Sequence, residues 1–485
     1  MLESHSVVPS GRVLPGIAAG SLLLLCVPLF ADVDAPETRT PETALTQARI
    51  LPPLYAREER TPDGIEFEIQ LELTYEKRKH IFLQQRVGDD FQDFKQELQF
   101  QLYYRENQHL SAFGEIKLNA EQLSYADETA RRSDRLGERG ELWLSWERLF
   151  NSDAAIKIGR QNFIEPRRWW WDSDLDSIRF DYTRDSWQIY IAVAETVARQ
   201  TTREKFIDPH EDDVLRWLGN ANWKLAPSLR FAAFYFRQRD HSAQPALNTL
   251  VETARADESD ASLTWLGLRA AGEIGLHSGE RLTYWLDGAA VTGEETVFDY
   301  VNEPAGMSRI AARRSQRVRG HAVDVGLHWF PLTKHWPILA LSHARGSGDK
   351  NRNDDTDHAF RQTGLQDADQ EFRYYGELLR PELSNLSITT ALVGFHLPGA
   401  TRLTLGYHWF RQVYPSLFLR GARIELLPTG EATDIGRELS LLVDIRKWEN
   451  LKVVLAAATF KAGNAYGPAT GERVTSFFVQ FAYEF

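Results

Sequence analysis

Ile65-Glu66-Phe67-Glu68-Ile69-Gln70-Leu71-Glu72-Leu73-Thr74-Tyr75 decides the fold. Every odd position is apolar and every even position is polar. A period of two over such a run means an extended strand with one apolar and one wet face. The run is long enough to cross a bilayer at a tilt, whereas strands of soluble sheets average about 5–6 residues.

The pattern returns downstream. Leu98, Phe100, Leu102 and Tyr104 alternate with Gln99, Gln101 and Tyr103. Leu142, Leu144 and Trp146 alternate with Glu141, Trp143 and Ser145, and Val323, Val325, Leu327 and Trp329 with Asp324, Gly326 and His328. Leu403, Leu405, Tyr407 and Trp409 behave alike, as do Leu439, Leu441, Val443 and Ile445. Aromatics close several runs, where an interfacial girdle belongs. Phe477, Val479, Phe481, Tyr483 and Phe485 end the chain in the same register. Such a terminal strand resembles the signal read by the outer-membrane barrel assembly machinery, with Phe485 as its last residue. These features predict an all-β chain: a transmembrane antiparallel β-barrel in the outer membrane of a Gram-negative cell. About 25 residues per strand and connection predict 16–18 strands around an aqueous lumen.

The flanks fit that reading. Val13–Phe30 is largely apolar behind Arg12, and Ala31 precedes Asp32, so residues 1–31 read as an export signal. The only cysteine, Cys26, lies inside it, and the exported chain would be cysteine-free. Residues 32–63 are then an N-terminal periplasmic segment and 64–485 the barrel. The 68 acidic against 56 basic residues argue against a nucleic-acid partner. Membrane lipid is the expected surround. Charged stretches at 346–371, 201–213, 252–260 and 297–320 read as external or inward-folding loops.

No serine elbow, phosphate loop or Cys/His ligand pattern is present, so no enzyme activity and no cofactor are expected. Asp349, Asn351, Asn353 and Asp355 alternate as in a calcium loop, but Asp354 and Phe360 stand where that loop needs glycine and glutamate. Asp172, Asp174 and Asp176 would share one side of a strand, as an anionic gate or a cation site. The basic residues bear more directly on function. Parity turns Arg179 and Arg402 into the lumen, since Ile178, Phe180, Leu403 and Leu405 look outward; Arg446 follows likewise. Arg167 and Arg168 sit in the turn before Trp169-Trp170-Trp171. Lumenal guanidiniums favour an anionic solute, although Glu66, Glu68, Glu72 and Asp324 point inward by the same rule.

Several segments are familiar as an ordered set. Gly159-Arg160-Gln161 leads to Trp170-Trp171-Asp172. Thr264-Trp265-Leu266-Gly267 is followed by Tyr284-Trp285. Ala344-Arg345-Gly346-Ser347-Gly348 leads to Phe360-Arg361-Gln362-Thr363-Gly364-Leu365. Then come Gly376-Glu377, Glu382-Leu383-Ser384-Asn385-Leu386, Asp434-Ile435-Gly436-Arg437-Glu438-Leu439 and Phe460-Lys461-Ala462-Gly463-Asn464-Ala465-Tyr466-Gly467-Pro468. From about residue 140 to the C-terminus the chain resembles the bacterial alginate export family. The resemblance implies an eighteen-stranded monomeric barrel with an electropositive constriction, closed by a periplasmic loop and an inward external loop. It implies passive outward passage of an anionic polysaccharide, with a periplasmic tetratricopeptide scaffold lipoprotein as partner. Carried over by motif, Arg160, Asp172, Arg380 and Arg437 join Arg167, Arg168, Arg179 and Arg402 as the expected substrate path. The chain departs from the family pattern at Asn162, Gly140 and Glu68, where basic residues are expected. A substrate-selective uptake porin for small anions or sugars therefore remains the alternative.

Overall fold

The computed structural model describes residues 53–56, 64–83, 90–106, 109–125, 131–226, 228–242, 245–257, 259–276, 279–333, 336–351, 354–366 and 375–485. The expected export signal, most of the 32–63 segment and Asn353 lie outside them.

Eighteen strands make the wall: β1 (Gly64–Lys79), β2 (Phe91–Glu106), β3 (Leu110–Tyr125), β4 (Arg131–Trp146), β5 (Ala154–Ile164), β6 (Asp172–Arg184), β7 (Trp187–Ala194), β8 (Val214–Ala226), β9 (Leu229–Asp240), β10 (Ser259–Gly275), β11 (Arg281–Glu303), β12 (Met307–Phe330), β13 (Ile338–Gly346), β14 (Leu386–Leu397), β15 (Thr401–Gln412), β16 (Asp434–Ile445), β17 (Leu451–Ala462) and β18 (Arg473–Glu484). Each pairs antiparallel with the next, and β18 returns to β1 with Glu484 opposite Gln70 and Thr475 opposite Lys79. Closure leaves no sheet edge, which is what lets strands sit in lipid. Two short strands, Leu250–Glu252 and Thr356–Asp357, attach to β12 inside the loops.

The two faces follow the sequence. Ile65, Phe67, Leu142, Leu268 and Leu439 are 70, 61, 62, 68 and 53% exposed, on the outer wall. A soluble core would hide them; lipid covers them here. Between them Glu68, Gln70, Gln101, Glu115, Asp287, Asp324 and Glu438 are buried on the inner side. Neighbouring polar groups on this side satisfy one another: Gln70 donates to Glu68, Gln101 to Glu115 at 3.1 Å, and Gln480 to Glu72 at 2.7 Å.

One end has short turns, such as 185–186, 398–400 and 446–450; the other carries the long connections 195–213, 347–385 and 413–433. Those are the periplasmic and external ends of such barrels. The expected loop at 297–320 is instead a hairpin, because β11 and β12 stay paired out to Glu303 and Met307. Its charges (Arg309, Arg313, Arg314, Arg317) stud strands that extend past the wall; charge density alone does not break strand pairing.

The wall is interrupted between β4 and β5. β5 pairs with β4 only over Ile156–Arg160. Beyond that, β4 bonds to the external loop: Arg139 N–H donates to Gln200 O, and Thr202 N–H to Gly137 O, both at 2.9 Å. The upper β5–β6 hairpin thus gives up its place in the wall to residues 200–202.

Candidate functional site: two inward loops and a polar lumen

Residues 165–171 lead from the top of β5 back to β6, and this loop is buried in the barrel interior. Glu165 winds it, accepting the N–H groups of Arg167 at 3.0 Å, Trp170 at 3.1 Å and Trp169. Trp169, Trp170 and Trp171 are at most 3% exposed. Trp170 stacks on Phe234 of β9 at 4.8 Å and lies over Gly267 of β10, where any Cβ would run into its ring. That explains the glycine of the Thr264-Trp265-Leu266-Gly267 segment.

A second loop, between β13 and β14, closes on the first. Trp169 Nε1 donates to Tyr375 Oη at 2.8 Å, and Tyr375 Oη donates to Asp324 at 2.8 Å. Gln366 donates to Trp169 O at 3.0 Å, Thr363 Oγ1 to Trp170 O, and Asp172 N–H to Leu365 O. Trp265 Nε1 ties the loop to the wall through Arg361 O at 2.7 Å. From β16, Glu438 accepts three successive N–H groups, those of Glu377 (2.6 Å), Leu378 (3.0 Å) and Leu379 (2.8 Å). The two loops and their apolar side chains form one buried cluster with the inner wall.

Charge inside this plug is compensated. Arg167 pairs with Asp287 and with Asp324 at 3.3 Å, its guanidinium 4.4 Å from the Trp285 ring centroid. Arg269 bridges Glu165 at 2.5 Å and Asp287 at 2.6 Å. All five are at most 8% exposed. Burial alone would raise the Glu165 pKa, but the Arg269 charge and hydrogen bond, with the Arg167 amide, outweigh it and hold it below the usual carboxylate range.

The expected path residues are therefore dispersed. Arg167 and Arg168 lie in the first inward loop, with Arg168 Nε 3.2 Å from Asp172. Arg380 lies in the second, at φ 43°, donating to Glu377 O at 3.0 Å. Arg179 faces the lumen lower down, bound to Asp181 at 2.9 Å and 4.1 Å from the Tyr190 centroid. Arg402 is near the periplasmic rim, opposite Asp444 in register and on the inward side of Thr404 and His408.

Two assignments are corrected. Arg437 pairs with Trp409, which is 47% exposed on the outer wall, and its guanidinium stands over that indole at 5.9 Å. Glu438 takes the inward place beside it. Arg160 shares a side with Ile158 and Ile164, both on the outer face, and registers against Asp176. Asp176 is held by Arg139 at 2.6 Å and by Val197 N–H at 3.1 Å, under the external loop. Arg160 is buried there, behind the lumen wall. Asp174 is likewise occupied, by Asn162 at 2.9 Å.

Sequence reading missed Arg269, Asp287, Tyr375 and Lys157. Parity marks Arg269, since Leu266 and Leu268 face outward. Lys157 follows from Ile158, and it stands beside Arg179 in the lumen, its ammonium 4.0 Å from the Trp143 centroid. Nothing local marks Tyr375, whose role depends on a loop 206 residues from Trp169 in sequence.

The alginate export family model matches residues 64–480. The alginate production protein AlgE of Pseudomonas aeruginosa is 26% identical over 373 residues, covering 71% of this chain and 74% of that protein. Its namesake from Pseudomonas syringae pv. tomato is 21% identical over 359 residues, covering 67 and 71%. Solved structures share the fold at low identity. OccK5 (OpdH) of P. aeruginosa aligns with a TM-score of 0.55 at 10% identity, over 87% of this chain and 98% of its own. Acinetobacter baumannii OccAB1 gives 0.55 at 10%, over 87 and 96%. With its closed eighteen-stranded barrel, lipid-facing outer wall and family match over nearly the whole barrel, this chain is an outer-membrane porin of the alginate export family.

Proposed function

We propose that the protein is a passive export channel for an anionic exopolysaccharide, a polyuronate such as alginate. The observation that carries this is a lumen wall that carries charged and polar side chains between its aromatic layers, with Lys157, Arg179 and Arg402 on its periplasmic half, in a chain of this family. A lumen of fixed charges gives a hydrated polymer exchangeable partners without a deep trap. The polymer's own synthesis supplies the direction, and a periplasmic scaffold protein delivers the chain end. The two inward loops are the external gate, which must part for a chain to leave.

One observation favours the second reading. Arg167, Arg168 and Arg179 each have a carboxylate partner. A compensated constriction suits a selective uptake porin for small anions or sugars as well.

Planar-bilayer conductance of the refolded protein separates the two. Polyuronate and a neutral glucan are added as blockers. Anion selectivity with block by polyuronate alone is expected. Cation selectivity, or equal indifference to both polymers, would sink the polyuronate reading.

A further inference from the structure

Three residues ahead of the barrel, Leu54–Ala56, form a short 3-10 turn inside the periplasmic mouth. Leu54 is 5% exposed, and its N–H donates to Gln101 Oε1 at 2.9 Å. Tyr55 Oη donates to the Glu141 carboxylate, 2.8 and 3.0 Å from its two oxygens. The Tyr55 ring packs edge-on against Phe113 (4.8 Å) and Trp143 (5.2 Å), with Tyr103 in the same cluster. The Lys157 ammonium stands 5.6 Å from the Tyr55 centroid and 4.0 Å from that of Trp143.

What this segment covers is chemically specific. Tyr103, Phe113 and Trp143 lie in register across β2, β3 and β4, one layer inside the rim. The layer above them carries Gln101, Glu115 and Glu141, and Lys157 with Arg179 flanks them on β5 and β6. An apolar ring face, amide and carboxylate acceptors, and adjacent cations are what a pyranose bearing a carboxylate would engage. The ring's C–H face stacks on the indole, hydroxyls donate to Glu141 and Gln101, and the carboxylate meets Lys157. Tyr55 already makes two of these contacts, with a ring against Trp143 and a hydroxyl on Glu141.

We propose that this layer is a binding site for one uronate residue of a polysaccharide at the periplasmic mouth, and that Tyr55 occupies it in the resting protein as an intramolecular competitor. The proposal rests on the polyuronate reading above and names a site within it. A chain end displaces the Leu54–Ala56 turn by taking over its partners, so the mouth opens to the right polymer and stays covered otherwise. A tethered competitor lowers apparent affinity by the fraction of time it occupies the site.

The test is block of single-channel current in the full-length refolded protein by a six-sugar polyuronate added from the periplasmic side. A neutral glucan of equal length is the comparison. Tyr55→Ala is expected to tighten uronate block by about tenfold, and Tyr55→Phe, which keeps the ring and loses the Glu141 bond, by about threefold. Adding Trp143→Ala to Tyr55→Ala should abolish the gain, and Lys157→Gln should erase the preference for uronate over glucan. Tyr55 lies outside the strands, so its variants keep the barrel, checked by strand content in circular dichroism. Unchanged block in both Tyr55 variants overturns the proposal while wild-type polyuronate block leaves the export reading standing. A gain that survives Trp143→Ala also overturns it. If glucan blocks and polyuronate does not, the export reading fails and the ligand class proposed here fails with it.

Discussion

The buried carboxylate of Glu438 on β16 accepts the backbone N–H of Leu379, in a loop 59 residues away, at 2.8 Å, with the two preceding N–H groups sharing the same carboxylate. Gly376, at φ 112°, makes the turn possible, since a Cβ there would run into Glu438. This clamp holds the second inward loop against the wall.

Glu438→Ala should release that loop. Three N–H groups lose their acceptor, and the buried two, of Leu378 and Leu379, cost about 1–3 kcal/mol each if left unpaired. The loop will move to water instead. The expected outcome is a larger and noisier single-channel conductance with strand content unchanged.

Arg167→Ala should be strongly destabilising. It strips the guanidinium from Asp287 and Asp324, both 0% exposed. Breaking a buried ion pair from one side costs about 3–5 kcal/mol. Arg269 still reaches Asp287, so Asp324 is the carboxylate left with the greater need. Thermal unfolding of the detergent-solubilised barrel measures the loss, and the double variant Arg167→Ala/Asp324→Asn should recover part of it.

The plug should loosen in acid. The Glu165 pKa lies below its ordinary 4.5, so its contribution is complete above that value and is lost as pH falls through the lower folded value. Conductance at fixed ionic strength should therefore rise as pH falls below about 4.5. Glu165→Gln should conduct like the acidified protein at neutral pH.

Gly267→Val should displace Trp170, whose ring occupies the space of the new side chain. The expected readout is a red-shifted tryptophan emission and a larger conductance, with the barrel intact. An unchanged spectrum would mean that the first inward loop is not seated on β10.

Arg179→Ala and Arg437→Ala should differ. Arg179 faces the lumen beside Lys157, whereas Arg437 covers Trp409 on the outer wall. Reversal potentials in a salt gradient should shift toward cations for Arg179→Ala and stay put for Arg437→Ala.

Much of the wall was legible. Alternation sorted Ile65, Phe67 and Leu439 from Glu68, Gln70 and Asp324 correctly, because a strand has two faces and lipid and water impose opposite chemistry on them. The same rule would have found Arg269 and Lys157. It failed at Arg160 and Arg437 only because motif resemblance was used there in place of parity. Ile158 and Leu439 are the neighbours that set their side.

Sequence alone determined the fold class, the approximate strand number and the faces of the alternating runs, since these follow from a local period of two. Tertiary structure alone decided where the loops go. No periodicity says that Trp169 meets Tyr375, that residues 200–202 take the place of upper β5, or that Tyr55 covers Trp143. Those placements come from long-range complementarity: a bare glycine under an indole, a carboxylate opposite three amides, a cation between two acids. Such matches exist only once the closed barrel has brought distant strands to opposite sides of one lumen.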